Sequence, residues 1–365
     1  MTSIGSGAFS SCVSLTSIIF SNSITAIENS AFEDCESLIS VVIPVSVTEI
    51  NNAVFSGCCS INSIVIPNSV TSIGAGAFVY ALSFEKLIIP NSVISIGAGA
   101  FTSCGLSSVV IPDSVTSDIG AETFKECLYL SSVIIGNGVT SIGNKAFYGS
   151  YSCGVKIGSS VTSIGDYAFY NSDLGPIVIL PDSVITIGDY AFSECPNLSS
   201  ITIGSGVTSI GACAFEGCGN LTSIVVSRGN SVYDNRNNCN AIIETSTNTL
   251  VFGCKNTIIP SSVTNIGDSA FAGSYNLTSI VIPNSVGSIG DYAFSGCSLL
   301  NAITIGSGVT SIGESAFLNN LSLDSVVFVD PEGWTSNGVS LDLSDPAQNA
   351  TLLKSTYCSY SWNKA

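Results

Sequence analysis

The chain has 365 residues, 26 acidic and 9 basic, no histidine, and a formal charge of −17 at neutral pH. That balance repels phosphate backbones and anionic headgroups, which excludes nucleic acid and membrane surfaces as natural partners. Charged residues make up 10% of the chain against a norm of about a quarter, so solubility must rest on neutral polar groups.

The first residues, Met1-Thr2-Ser3-Ile4-Gly5-Ser6-Gly7-Ala8-Phe9, enter in the middle of a repeat. A solenoid end needs a polar cap, so the sequence reads as a fragment of a longer chain. Residues 1–20 lack the basic start and apolar middle of a signal peptide, and no apolar run reaches the ~20 residues a membrane helix needs.

From Phe9 onward an Ala-Phe pair, or a close variant, returns at Phe32, Phe55, Phe78, Phe101, Phe124, Phe147, Phe169, Phe192, Phe215, Phe271, Phe294 and Phe317. The step is 23 residues, shortened to 22 before Phe169 and lengthened to 56 before Phe271. A fixed period of this size is the signature of a repeat array, in which each turn shares one elongated core with its neighbours. Counting from Phe as zero, the apolar positions are +3, +6, +9, +11, +15, +18 and +22, and their side chains are expected to point inward.

The stretch Leu277-Thr278-Ser279-Ile280-Val281-Ile282 is β-branched with period-2 alternation at its end, which predicts a short strand stacking in parallel on its copies. Pro at +12, as in Pro44, Pro67 and Pro283, ends that strand, and a second extended piece, Ser-Val-Thr-Ser-Ile-Gly, follows. The Gly after it (Gly74, Gly97, Gly188, Gly290) suits a corner with positive φ, and the acid that often comes next (Asp166, Asp189, Asp268, Asp291, Glu314) is placed to N-cap a one-turn or 3₁₀ helix carrying Ala-Phe. A cation-attracting row is the second account of these acids.

Eight of the fourteen cysteines (Cys12, Cys35, Cys58, Cys104, Cys127, Cys195, Cys218, Cys297) share position +3, where other turns carry Ala81, Ser150, Ser172 and Ser274. A small buried residue at a crowded corner is the plainer account of that row. With no histidine and no CxxC pair, no metal site is expected. Cys239 and Cys254 bracket a predicted hairpin over 240–253 and are candidates for a disulfide in an oxidising compartment.

That hairpin belongs to an irregular insertion, 227–256, whose polar loop offers Arg228, Tyr233, Asp234 and Arg236 as candidate contacts; a solvated insertion is the bland alternative. Beyond Phe317 the motif fades. Residues 326–365, with Trp334 and Trp362, read as a C-terminal cap to a repeat domain over 1–325.

In the strand, +10 points away from the core. Its occupants Val42, Val65, Ile88, Val110, Ile134, Thr202, Val225, Val281 and Thr304 form a mostly β-branched row, a candidate ligand-binding surface. The competing account is that such residues simply suit parallel strands. An enzyme is disfavoured, because the acids are spread one per turn and no serine has a base beside it. A rigid spacer displaying a fused module is the alternative to a binding protein.

The pattern Leu-Thr-Ser-Ile-Val-Ile-Pro-Asn-Ser-Val-Thr-Ser-Ile-Gly-x-x-Ala-Phe-x-x-Cys resembles the BspA-like leucine-rich repeat, a 23-residue class also found in treponemal surface proteins. The stretches 239–245 with 253–260, and 330–334 with 341–346, are similar to the irregular module and the terminal segment of that family. What the resemblance implies is a leucine-rich-repeat solenoid, a curved right-handed coil with a parallel β-sheet on the concave face. It also implies a surface or secreted adhesion protein without catalytic residues, whose partner is an extracellular protein or glycan; no cofactor is expected, and a monomer is favoured while the sequence leaves the oligomeric state open.

Overall fold

A 23-residue turn carries too little apolar surface to stand alone, and its Ile, Val and Phe positions are buried only when the next turn lies against them. The computed structural model describes residues 1–151 and 154–364. It is a parallel β-solenoid in which Phe32, Phe78, Phe101, Phe192, Phe271 and Phe294 are each fully buried. Contacts divide it into two compact units, 1–195 with 209–211, and 196–208 with 212–365.

In the first unit the long strands Ser40–Val42 and Ser63–Val65 pair in parallel, as do Ser108–Ile111, Ser132–Ile135 and Val155–Lys156. A second ladder of two-residue strands runs from Glu49–Ile50 through Ser72–Ile73 to Ser95–Ile96, is carried on by a bridge at Ile119, and continues from Ser141–Ile142 to Ser209–Ile210. Phe rings from Phe9 to Phe192 form one stack, with neighbouring centroids 5.1 to 5.7 Å apart.

The second unit repeats the scheme with Ser279–Ile282, Ala302–Ile305 and Ser325–Phe328 as long strands. Its inserted hairpin, Ala241–Glu244 against Thr249–Gly253, is part of the coil, since Thr249 and Leu250 pair in parallel with Asn265 and Ile266 and the Phe252 ring lies 5.2 Å from Phe215. After Phe328 the chain crosses the last turn. Trp362–Lys364 pairs antiparallel with Ser311–Ile312, and Trp334 and Trp362 are both buried beside Phe328. Lys364 bonds to Asp330 and holds that carboxyl below its usual range. Residue 365 of the expected cap lies outside the described residues.

The corner that carries Ala-Phe is a turn, not the expected one-turn helix. Left-handed residues stand on either side of each Phe, as with Tyr167 and Asn171 around Phe169 (φ 55° and 49°) or Tyr190 and Glu194 around Phe192 (54° and 56°). A helix cannot pass through two such residues. The Phe amide instead donates to the following turn, Phe78 N to Ala100 O at 2.8 Å and Phe294 N to Ala316 O at 2.8 Å.

The acids are likewise not N-caps. Asp166 Oδ1 accepts the amide of Asp189 in the next turn at 3.0 Å, Asp268 that of Asp291 at 2.9 Å, and Asp291 that of Glu314 at 2.7 Å. Asn52 does the same for Ala75 at 2.8 Å, which is why Asn and Asp interchange there. The glycines before them do not have positive φ either. A Cβ on Gly188 would stand 2.6 Å from Asp166 N, and one on Gly290 2.6 Å from Asp268 N, so close approach between turns excludes a side chain.

Many members of the +3 row prove to be donors. Cys58 Sγ donates to Phe32 O at 3.1 Å, Cys104 Sγ to Phe78 O at 2.9 Å and Cys297 Sγ to Phe271 O at 3.1 Å; Ser150, Ser172 and Asn320 aim at the same carbonyl of earlier turns, at 2.6, 2.6 and 2.8 Å. Burial pushes the thiols of Cys58, Cys127 and Cys297 up to about 12, so they remain neutral at physiological pH.

Two predictions follow from this packing. Gly188→Ala should destabilise the protein by about 1–3 kcal/mol, as overpacking does, whereas Gly5→Ala, which meets nothing within 4 Å, should leave the urea midpoint unchanged; equal effects would contradict the close-approach account. Unfolded thiols ionise near pH 8.5 but the folded ones only near 12, so the unfolded state loses protons first and stability falls as pH rises through that window. The urea midpoint should therefore drop between pH 7 and 10, and the combined Cys58→Ser, Cys127→Ser, Cys297→Ser variant should show a flatter dependence; an identical slope would count against it.

Candidate functional site

Strand burial alternates as a half-buried sheet requires, with Ile280 and Ile282 inward and Val281 outward. The same alternation sets the whole +10 row. In the first unit Val42 is 65% exposed, Val65 53%, Ile88 84%, Val110 54% and Ile134 41%. In the second, Val225 and Val281 are exposed, while Thr202 and Thr304 are half-buried. Register pairs Val42 with Val65 and Val110 with Ile134 in the first unit, and Thr202 with Val225 and Val281 with Thr304 in the second.

Ile179 also stands on this face, exposed between the inward Val178 and Leu180. The row read from sequence passes over it, because the 22-residue step before Phe169 and the Gly175-Pro176 pair ahead of the strand blur its start. Pro181 at +12 is the signal that locates it. On one flank of the row lie small hydroxyls, Ser40, Ser63, Ser108 and Ser132, all exposed; on the other lies the proline column. The face is thus aliphatic and nearly uncharged, Lys86 and Lys156 excepted.

The loop residues are placed otherwise than as a cluster of free contacts. Tyr233 is buried. Asp234 and Arg236 bind each other, Nε to Oδ1 at 2.9 Å and to Oδ2 at 3.1 Å, and the guanidinium continues to Asn248 Oδ1 at 2.7 Å. That fork holds the loop to the hairpin tip. Arg228 alone of the four is exposed.

Cys239 and Cys254 are both buried and both free thiols. The expected bridge is not formed, for a reason of register. Ala241 pairs with Gly253, which sets Asn240 and not Cys239 opposite Cys254, and Cys254 Sγ indeed donates to Asn240 O at 3.4 Å. Among the described residues no group of three or more His, Cys, Asp or Glu side chains is arranged to hold a metal, and no helix is long and apolar enough to cross a membrane. What the described surface offers chemically is side-chain display.

The BspA-type leucine-rich repeat region, in 6 copies, matches residues 2–117, 117–242 and 241–335. A leucine-rich repeat protein of Bacteroides ovatus is 30% identical, covers 89% of this chain and 82% of its own, and superposes with a TM-score of 0.71. A leucine-rich cell surface protein of Faecalibacterium prausnitzii is 29% identical over 84% of this chain and 83% of its own, with a TM-score of 0.52. One from Eubacterium ventriosum is 29% identical over 61% and 60%, with a TM-score of 0.54. No protein of curated function matches. The repeat, the paired strands and the buried Phe stack agree with these likenesses, and the chain belongs to the BspA-type leucine-rich repeat family.

Proposed function

We propose that this is a non-enzymatic binding protein of the cell surface or the secreted space, which recognises a protein ligand through the outward face of its long-strand sheets. The observation that carries the reading is the exposed aliphatic column from Val42 to Ile134, on consecutive turns of the first unit. Apolar surface of a few hundred Å² in one patch is what contact sites on monomers present. Aliphatic side chains without an aromatic platform favour a protein surface over a glycan. Leucine-rich repeats use their stacked sheets as scaffolds for protein interaction, and the likeness to a leucine-rich cell surface protein of Faecalibacterium prausnitzii supports the compartment.

The rigid-spacer reading draws on the Phe stack of the first unit, which stiffens each turn there against the next. Surface plasmon resonance of the whole chain against a panel of matrix proteins, mucins and glycans separates the two. The binding reading predicts a protein ligand whose affinity falls at least tenfold in the Val42→Lys, Val65→Lys, Val110→Lys variant while the circular dichroism spectrum is unchanged. Unaltered affinity of that variant, or no protein bound at all, would contradict it.

A further inference from the structure

In the first unit the corners at Leu82-Ser83 and Leu128-Tyr129 each close with a two-residue turn after the +3 position. The coil between them lacks that turn. Leu106 follows Cys104 after a single residue, so the backbone draws in: Gly105 N bonds to Ala81 O at 3.1 Å, and a Cβ on Gly105 would collide with Leu82 O. The corner Ser172-Asp173-Leu174 is equally short but keeps a side chain in the middle. At Gly105 the result is a hollow of about 190 Å³, floored by Ser103, Cys104 and Gly105. Its walls are Leu82 on the coil before and Leu128 with Tyr129 on the coil after, all three exposed. That volume lies below the roughly 300–1,000 Å³ of sites that take a whole small molecule, and it suits one large side chain.

The second unit shows which side chain such a hollow accepts. There Gly219 likewise follows the +3 cysteine, Cys218, and a Cβ on it would fall on the ring of Tyr275 from the adjoining coil. Tyr275 is half-buried, although Leu321, at the same place in a later coil, is 79% exposed. A bare glycine backbone is thus covered by a tyrosine that the chain itself supplies. In the first unit the residues at Tyr275's place in the flanking coils are Leu82 and Leu128, and the hollow stays open. Glu126 adds a polar end to it. Among the described residues its carboxylate meets only the Ser103 hydroxyl, at 3.4 Å, while Lys125 is turned to Glu122 at 3.5 Å. A phenol laid over Gly105 therefore has an acceptor for its O–H, which a tyrosine hydroxyl needs once it is taken out of water.

We propose that the hollow over Gly105 is a contact point for a partner protein and takes the side chain of an exposed tyrosine, its ring on the bare backbone between Leu82 and Leu128 and its hydroxyl donating to the Glu126 carboxylate. Tyrosines seated in pockets of this kind are among the residues that carry most of the energy of an interface. The proposal rests on the reading of the chain as a protein-binding protein, but not on the aliphatic column, which belongs to the strand further along the coil.

The test uses N-acetyl-tyrosinamide as the probe, titrated into the isotope-labelled full chain and followed by nuclear magnetic resonance at the Gly105 amide. The hollow predicts a saturable shift there and at least tenfold weaker binding of N-acetyl-phenylalaninamide and N-acetyl-argininamide, since a hydrogen bond to a charged group is worth about that much. Glu126→Ala should abolish the preference for tyrosine over phenylalanine. Leu128→Asp should weaken the tyrosine probe at least tenfold; Leu128 is 50% exposed, and circular dichroism checks the fold. Tyr275→Ala should open a second site, seen as a shift of the Gly219 amide with the same probe. The Val42→Lys, Val65→Lys, Val110→Lys variant should bind the probe within twofold of normal, so failure of the sheet face and failure of this hollow are read separately. No shift at Gly105, tighter binding of the arginine probe, or no response at Gly219 in a folded Tyr275→Ala chain overturns the proposal. So does a dimer of the free chain that Tyr129→Ala dissolves, which would seat a second copy in the hollow.

Discussion

The whole structure depends on how closely one turn can pass the next at the Phe corner. Stacked rings fix that spacing in the first unit at 5.1 to 5.7 Å, and each Phe amide bonds to the turn beyond. At such a distance the backbone of one coil lies against the backbone of its neighbour, and anything larger than a hydrogen must be accommodated or removed. Gly188 and Gly290 are glycine because a methyl there would collide with an amide nitrogen. Buried carbonyls next to the stack need donors, because an orphaned one costs roughly 1–3 kcal/mol. Cys, Ser and Asn answer that need from one position.

The same constraint decides where function can sit. Nearly every inward position is committed to the core, and the polar corner positions are committed to bonds between turns. The carboxylates of Asp166 and Asp268 are examples, each spending one oxygen on the next turn's amide. What is left free is the outward half of the sheet, one side chain per strand. Under the proposed binding role, this repeated face would do the recognising and departures from the repeat, such as the inserted hairpin, would give it specificity.

Much of this was legible in the sequence. The 23-residue period marked the turns, the alternation of Ile280, Val281 and Ile282 set which side chains face out, and Pro at +12 marked where strands stop. The departures share one cause. Read within its own turn, Gly188 suggests positive φ and Asp166 an N-cap, and Cys58 reads correctly as a small buried thiol but without its bond, whereas each acts on a residue about 23 or 26 positions away in the neighbouring turn. Local rules cannot see such partners. The Cys239 and Cys254 pair failed for a related reason, since a one-residue offset in hairpin register is invisible until the strands are paired. In the loop, Arg236 and Asp234 bind each other, a pairing that their spacing in sequence does not reveal.

Native-state hydrogen exchange at the Phe corner probes the stacking of turns most directly. Amides of Phe78, Phe101 and Phe124, each donating to the following turn, should exchange together in the slowest class, at the rate set by opening of the stack. Exchange of these three amides as fast as that of the exposed Arg228 would show that neighbouring turns are not held together at this corner, and the account would fail.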